Sequence, residues 1–258
     1  RKKGWSIMFS GLKDAVAIIS GAGGGMGTAA ALRLAREHCK IFAVDLCPEA
    51  LKGLEERFRQ EHLDGLIPCA CDATREDEVE RAVEQCIQAC GGVDILVNIA
   101  GIYTDCLLKD MNYDEWRRTM DINVDSVMFF CRAVLPSMLK KRHGKIINMS
   151  SQAGVSGSVT HTHYSASKAA IIGLSRSLAR EVADCGINVN CIAPGIIRTP
   201  MTAHYTPEQA ANFMAKIPMG RFGEADDVAK VIEFLASDGS DYLTGQVYNV
   251  TGGWLMVS

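Results

Sequence analysis

The sequence predicts an α/β fold class, a single doubly wound domain whose seven-stranded parallel sheet carries helices on both faces. Three observations lead there. Seven short apolar runs alternate with helix-period stretches between residues 15 and 250, the pattern of strands buried on both faces and joined by crossover helices. A glycine-rich loop stands between the first apolar run and the first helical stretch. No Pro/Ser-rich linker, composition break or internal repeat divides the 258 residues, which argues for one domain.

The first strand is predicted over 15–20 (AVAIIS), a continuous apolar run that stops at Gly21. A helix is predicted from Thr28 (TAAALRLAREH), and between them lies Ser20-Gly21-Ala22-Gly23-Gly24-Gly25-Met26-Gly27. Glycines permit a tight turn, and their missing side chains let backbone N–H groups and a helix N-terminus approach a pyrophosphate. Strand, glycine turn and helix in that order is the context of a Rossmann-type dinucleotide fingerprint. The second strand, 40–45 (KIFAVD), ends in Asp45 about 20 residues after the loop, where a carboxylate can accept hydrogen bonds from an adenosine ribose. The plain alternative is an acid near the start of the helix that opens at Pro48.

The alternation continues with a helix over 48–62, a strand over 66–71 and a helix over 75–90. A strand over 93–98, a long helix over 113–141 and a strand over 145–150 follow. A helix over 164–184 precedes a strand over 187–192, and a helix over 225–237 precedes a last strand over 246–250. Two connections depart from this rhythm. Residues 151–163 are polar and glycine-bearing, at a strand's carboxyl end where such sheets bind ligands. Residues 195–223 are longer than a compact domain carries without purpose. They hold Ile196, Ile197, Met201, Tyr205, Phe213, Met214, Ile217 and Met219. They are expected to form a mobile substrate lid with short helices, a small satellite core, or both.

With 48% hydrophobic and 22% charged residues, the composition is that of a soluble globular chain. A net charge of −3 gives no electrostatic footprint for nucleic acid, and no uninterrupted apolar run reaches membrane-spanning length. Residues 1–7 (RKKGWSI) are basic without a following apolar run, unlike a signal peptide. They are expected to be a disordered extension before a domain over 8–258. The ten cysteines include no C-x-x-C, and several sit in apolar runs where thiols act as small hydrophobes. Reduced thiols, a cytoplasmic location and no metal are therefore expected; Cys69-x-Cys71 is the one spacing that leaves a metal conceivable.

Tyr164 and Lys168 stand four apart in a helical stretch, which places them on one face with about 5–6 Å between Cβ atoms. A free phenol titrates near pH 10 and exchanges protons poorly at neutrality. A neighbouring ammonium is expected to pull that value down and make the phenol an acid/base.

These residues and their spacing resemble the short-chain dehydrogenase/reductase family in its compact form, from about Gly11 to Gly253. The resemblance rests on Gly21-x-x-x-Gly25-x-Gly27, with Ser20 where threonine is usual, and on Asn98-Ile99-Ala100-Gly101, with Ile99 replacing an asparagine. It also rests on Asn123, on Ser151 thirteen residues before Tyr164, on Lys168, and on Pro194-Gly195 with Thr199. It implies hydride transfer between nicotinamide and a carbinol carbon. Tyr164 would be the acid/base, Lys168 would hold the nicotinamide ribose, Ser151 would orient the substrate oxygen, and Asn123 would anchor a water behind Lys168. The implied cofactor contacts are Gly21, Gly25, Met26, Gly27, Asp45, Leu46, Asp72, Ala73, Asn98, Ala100, Gly101, Tyr164, Lys168, Pro194, Gly195, Ile197 and Thr199. The implied substrate contacts are Ser151, Ala153, Tyr164, Ile196 and Tyr205.

Members that prefer NADP commonly carry a basic residue before the second glycine or after the second strand. Gly24, Leu46 and Cys47 stand there, which points to NAD. Small-molecule secondary alcohols or ketones are the expected substrates, with hydroxysteroids and cyclic alcohols favoured by the apolar lid. The alternatives are a 3-oxoacyl thioester, or a dinucleotide-binding regulator without turnover. Carrier-linked 3-oxoacyl reductases look similar around 140–144 and 179–182. Of their two docking arginines Arg142 matches one, but Cys185 occupies the other place. His161 and His163 flank the site, as substrate contacts or as loop polar groups. A homotetramer is expected, through Phe129, Phe130 and Val134 on one helix and Ile171, Ile172 and Leu174 on the next.

Overall fold

In the computed structural model, which describes residues 10–203 and 205–256, apolar runs and helical stretches alternate as the sequence predicts. The expected extension over 1–7 lies outside the described residues. The first half comprises β1 (Val16–Ser20), α1 (Gly25–Arg36), β2 (Lys40–Asp45), α2 (Pro48–Gln60), β3 (Leu66–Ala70), α3 (Glu76–Cys90) and β4 (Ile95–Asn98). Next come α4 (Tyr113–Met120), a π-helical turn (Asp121–Asp125), α5 (Ser126–Lys141) and β5 (Gly144–Met149). Then follow α6 (Gln152–Ser156), α7 (Thr162–Val182), β6 (Ile187–Pro194), β7 (Ile197–Arg198) and α8 (Pro207–Met214). The chain closes with β8 (Gly223–Glu224), α9 (Ala225–Ala236) and β9 (Val247–Val250).

Seven strands pair in the order β3-β2-β1-β4-β5-β6-β9, all parallel. The chain leaves β1 toward β2 and β3, then returns to lay β4 on the opposite side of β1. That reversal opens a crevice beyond the carboxyl ends of β1 and β4, the usual ligand site of such sheets. Successive side chains of β1 feed two cores, as a period of two requires. Ala17 and Ile19 join Leu34, Leu51, Phe58 and Ile232 on one face. Val16 and Ile18 join Val83, Phe130, Val134 and Ile171 on the other. Pro68, which has no N–H to give a ladder, sits in the edge strand β3.

The packing corrects the expected assembly surface. Phe130, Val134, Ile171 and Ile172 are core residues, because the i, i+4 stripe they form faces the sheet. Of the six, only Phe129 and Leu174 remain partly exposed. The helical run Tyr113–Lys141 is long and apolar enough to cross a membrane by length and hydropathy. Here its Val127, Phe130, Cys131, Val134 and Met138 are buried within the protein. The cysteines are all free, and Cys39, Cys71, Cys86, Cys131 and Cys191 are buried. Burial pushes the Cys39, Cys71, Cys86 and Cys131 thiols up to about 12.

The long connection over 195–223 is closed at its base and carries a small core of its own. β7 and β8 pair at the two ends of the long connection, and Gly223 N donates to Ile196 O at 3.0 Å. Ile197, Ile217 and Phe222 are buried beneath it. α8 is closed by a capping box in which Thr206 and Gln209 satisfy each other's backbone N–H groups.

Candidate active site

α1 begins at Gly25, three residues before the sequence prediction, so Gly25 and Gly27 lie in its first turn. No side chain caps that turn and no acid stands in it, which leaves its N–H groups and positive dipole end for an anion. Gly21 has φ +70°, and a Cβ there would lie 2.8 Å from Ala100 N. A Cβ on Gly27 would lie 2.0 Å from Gly21 O. Only glycine allows the loop to fold this tightly between β1 and β4. A backbone cradle of this kind fits a dinucleotide pyrophosphate.

Asp45 ends β2 beside this loop. Its Oδ2 accepts from Gly23 N at 2.9 Å and its Oδ1 from Cys47 N at 3.0 Å. Two backbone amides thus aim the carboxylate, and a carboxylate has about four acceptor positions, so capacity for a ribose remains. Leu46 beside it is exposed. Asp72 is fixed by accepting from Thr74 N and Oγ1, with Ala73 between them.

The turn after β4 is held from below. Ser20 Oγ accepts from Ile99 N at 3.2 Å, and Ile99 N and Ala100 N also donate to Ser20 O. Serine in the usual threonine place therefore still pins the turn. Asn98 turns its side chain away from the crevice. Its side chain is buried, with Nδ2 donating to Asn148 Oδ1 at 2.8 Å, and Asn148 Nδ2 donates in turn to Ser175 Oγ at 2.8 Å. The network links β4, β5 and α7 inside the protein and shapes the crevice from behind.

Asn123 lies in the π-helical turn and is fully buried. Its Oδ1 accepts from Ile102 N at 2.8 Å, while Nδ2 donates to Ile102 O at 3.1 Å and Ser167 Oγ at 3.0 Å. Both amide hydrogens are thus engaged by protein. The side chain clamps the Gly101–Ile102 turn against α7.

Ser151, Tyr164 and Lys168 meet at the carboxyl end of β5. Ser151 is the N-cap of α6, an element the sequence reading left as loop, and its Oγ accepts from Ala153 N at 3.1 Å. Lys168 is buried one helical turn beyond Tyr164, with Nζ donating to Met149 O at 3.0 Å and lying 5.7 Å from the Tyr164 ring centroid. Burial lowers the Lys168 ammonium to about 8. The Tyr164 phenol is raised, first by burial, then drawn partly back by a hydrogen bond with Ser151 and raised again by Tyr205. The expected depression by Lys168 is thus not supplied by the chain alone. Lysine Nζ turns to the Met149 carbonyl, and desolvation of the phenol is the larger effect.

Pro194 and Gly195 follow at the end of β6, where Gly195 N donates to Val250 O at 3.0 Å. Thr199 folds over the glycine loop, its Cγ2 2.9 Å from where a Gly25 Cβ would be. Ile197 is buried, while Ala153, Ile196 and Tyr205 are partly exposed. Met26 packs against the α1 side of the core.

Tyr103 is a residue the sequence reading missed. Its ring stands perpendicular to Tyr164 with centroids 5.0 Å apart, stacks on His161 at 4.3 Å, and its hydroxyl lies 3.5 Å from that of Tyr205. The only signal in the sequence was its place two residues past the Asn98–Gly101 turn. His161 is buried against this cluster, with Nδ1 3.0 Å from Ser158 Oγ. His163 turns to Thr104 Oγ1 at 2.8 Å, and burial lowers its imidazolium.

Known proteins resemble this chain in sequence and in fold. The family model described as enoyl-(acyl carrier protein) reductase matches residues 21–255. The chain is 40% identical over 243 residues to a 3-oxoacyl-[acyl-carrier-protein] reductase, FabG, of Thermotoga maritima, covering 94% of this chain and 98% of that protein. It is 39% identical over 242 residues to the FabG of Escherichia coli, with 94% and 98% covered. Among solved structures, that of gox2181 superposes with a TM-score of 0.90 at 34% identity over 94% of this chain and 96% of that one. Levodione reductase superposes with a TM-score of 0.90 at 29% identity, over 93% and 97%. With its parallel sheet, glycine cradle and Ser151–Tyr164–Lys168 constellation, the chain belongs to the short-chain dehydrogenase/reductase family, whose members are oxidoreductases that bind a nicotinamide dinucleotide.

Proposed function

We propose that this protein interconverts a 3-oxoacyl thioester and its 3-hydroxyacyl form, with NAD as cofactor. The carrying observation is a buried Lys168 and a Ser151-bonded Tyr164 in a chain about 40% identical to named 3-oxoacyl reductases. Those relatives favour the thioester alternative over the hydroxysteroid or cyclic alcohol that the apolar lid suggested.

The glycine loop and α1 N-terminus would hold the pyrophosphate, Asp45 the adenosine ribose, and Lys168 the nicotinamide ribose. Asp72 and Ala73, Ala100 and Gly101, and Pro194, Gly195, Ile197 and Thr199 would frame the rest. When bound, the dinucleotide supplies or accepts the hydride. Tyr164 Oη donates a proton to the developing alkoxide in reduction and takes it back in oxidation. Ser151 holds the substrate oxygen against Tyr164 and pulls the phenol toward the working range. Lys168, positive below about 8, stabilises the phenolate left behind. Asn123 and Asn98 keep the turn and the sheet ends in place.

Asp45 supports NAD, since a 2′-phosphate would meet its carboxylate with neither Gly24 nor Cys47 able to offset the repulsion. The reading extends to a tetramer, tested by light scattering, where a mass near the 27.9 kDa of one chain refutes it. The test of function is NADH oxidation with a panel of 3-oxoacyl thioesters, cyclic ketones and oxosteroids. Turnover of thioesters at least tenfold above the others supports the proposal, and turnover of oxosteroids alone overturns it.

A further inference from the structure

Three phenols converge beside the reacting position, and the acid/base chemistry above uses one of them. Tyr103 and Tyr205 hydroxyls lie 3.5 Å apart, and either can donate. In such a pair one proton bridges the two oxygens, which leaves the acceptor's own proton for a third oxygen. Tyr103 is the better held of the two. Its ring is stacked on buried His161 and set edge-on to Tyr164. Its loop is tied to the segment before α7 by Cys106 N donating to Thr160 O at 2.7 Å and by Thr160 Oγ1 donating to Asp105 Oδ1 at 3.0 Å. Tyr205 belongs to the lid, where it packs on Phe213 at 5.0 Å, and Phe213 lies 6.0 Å from Trp254.

We propose that Tyr103 is a substrate-binding residue that donates a hydrogen bond to the second carbonyl oxygen of a 1,3-dicarbonyl substrate, while Tyr164 and Ser151 serve the first. Resting on the thioester reading, this assigns Tyr103 to the thioester carbonyl and Tyr205 to orienting the Tyr103 hydroxyl. The phenol of Tyr103 suits a donor, because burial first, and then Tyr205, Asp105 and Tyr164, push it far above neutrality and keep it protonated. A monoketone has no second oxygen to accept from this hydroxyl, which then keeps only its contact with Tyr205, so the site favours dicarbonyls by the hydrogen bond they add.

Tyr103→Phe keeps both ring contacts and removes only the hydroxyl. With NADH, kcat/KM is measured for a 3-oxoacyl-CoA, a 3-oxo ester and a monoketone of the same carbon count. The expected result is a loss of roughly 10–100-fold for both dicarbonyls, with the monoketone changed less than about threefold and NADH binding unchanged. Tyr205→Phe should give the same pattern with a smaller loss. Equal losses for all three substrates, or no loss for the dicarbonyls, overturn the assignment. A wild type that reduces the 3-oxo ester and rejects the thioester defeats the functional reading alone, because the ester and monoketone still decide the role of Tyr103.

Discussion

The glycine loop beyond β1 and the aromatic cluster around Tyr164 both stand at the carboxyl ends of the parallel strands, yet they are built by opposite means. The loop is backbone. Gly21 at φ +70° and Gly27 against Gly21 O leave no room for a Cβ, and Asp45 fastens the loop through a single amide. The cluster is side chains drawn from separate segments: Tyr103 after β4, His161 and Tyr164 at the start of α7, Tyr205 between β7 and α8. A backbone site tolerates almost no local change but accepts any sequence that keeps its glycines. A side-chain site can alter its substrate one ring at a time while the hydride geometry stays put.

The most severe way to separate the two regions is Tyr164→Phe. The ring and its edge contact with Tyr103 remain, so the fold and the glycine cradle are untouched. Turnover should fall at least about 10³-fold, since positioned proton transfer supplies 10²–10⁴. NADH binding, followed by its fluorescence, should stay within a few-fold of wild type. Rates within tenfold of wild type would remove Tyr164 from the chemistry.

The next effect belongs wholly to the backbone region. Charged hydrogen bonds from a ribose to Asp45 contribute about 1.5–3 kcal/mol, and a 2′-phosphate about 4 Å away would be repelled by roughly 4 kcal/mol at an effective dielectric near 20. Half that sum, about 3 kcal/mol, is a preference for NAD on the order of 10²-fold. Replacing Asp45 with Ser and Leu46 with Arg should shrink or invert the NAD/NADP ratio of kcat/KM. Because Asp45 also holds Gly23 N, both cofactors should bind somewhat less tightly in the double variant. A wild type indifferent to the two cofactors, or an unchanged ratio after the double change, would end this account of Asp45.

The same contrast explains what the sequence made legible. The glycine cradle, Asp45 and all seven strands could be read because each depends on neighbours in the chain: a period of two, a turn, an N-terminus. Lys40–Asp45 was read to the residue. Ser151, Tyr164 and Lys168 were readable through their spacing. Tyr103 was not, because its meaning comes from His161 and Tyr205, 58 and 102 positions away. The protein partners of the Asn98 and Asn123 amides were not legible either, for a related reason. An asparagine beside a ligand site looks alike in sequence whether its amide faces the ligand or, as here, Asn148 and Ile102. The helix stripes were misread as assembly surface because periodicity shows that a face is apolar, not which neighbour covers it.

Lys168 joins the two regions and gives a smaller, thermodynamic test. Its folded value of about 8 lies below the ordinary 10.5, so between those values the unfolded chain binds more protons and stability rises with pH. Below about 8 both states carry the charge, and the native state bears a burial cost on the order of 3 kcal/mol. Lys168→Met removes that cost but strands the Met149 carbonyl, about 1–3 kcal/mol in the other direction. The variant should be inactive yet at least as stable as wild type at pH 7 in urea, a net gain of about 1 kcal/mol. Its stability should also lose the rise between pH 8 and 10. A variant several kcal/mol less stable would mean that Lys168 is a structural prop.

The smallest effect concerns what carries the substrate to the aromatic side. The basic run 140–143 is partly occupied within the protein. Lys141 Nζ pairs with Asp94 at 2.7 Å, and the Arg142 guanidinium donates to the main-chain carbonyl of Asp184. Cys185, beside that carbonyl, stands where carrier-linked relatives have a second arginine. A phosphate-bearing acidic carrier therefore meets one engaged arginine at the rim, and exposed ion pairs contribute about 0.2–1 kcal/mol each. That converts to less than about a sixfold preference for a carrier-linked 3-oxoacyl group over the same group on coenzyme A. Paired kcat/KM measurements at low and physiological salt decide it. Cys185→Arg should raise the carrier-linked value by a few-fold at low salt and leave the coenzyme A value alone. A wild type that prefers the carrier a hundredfold, with Arg142→Ala abolishing the preference, would show that this face docks a partner after all.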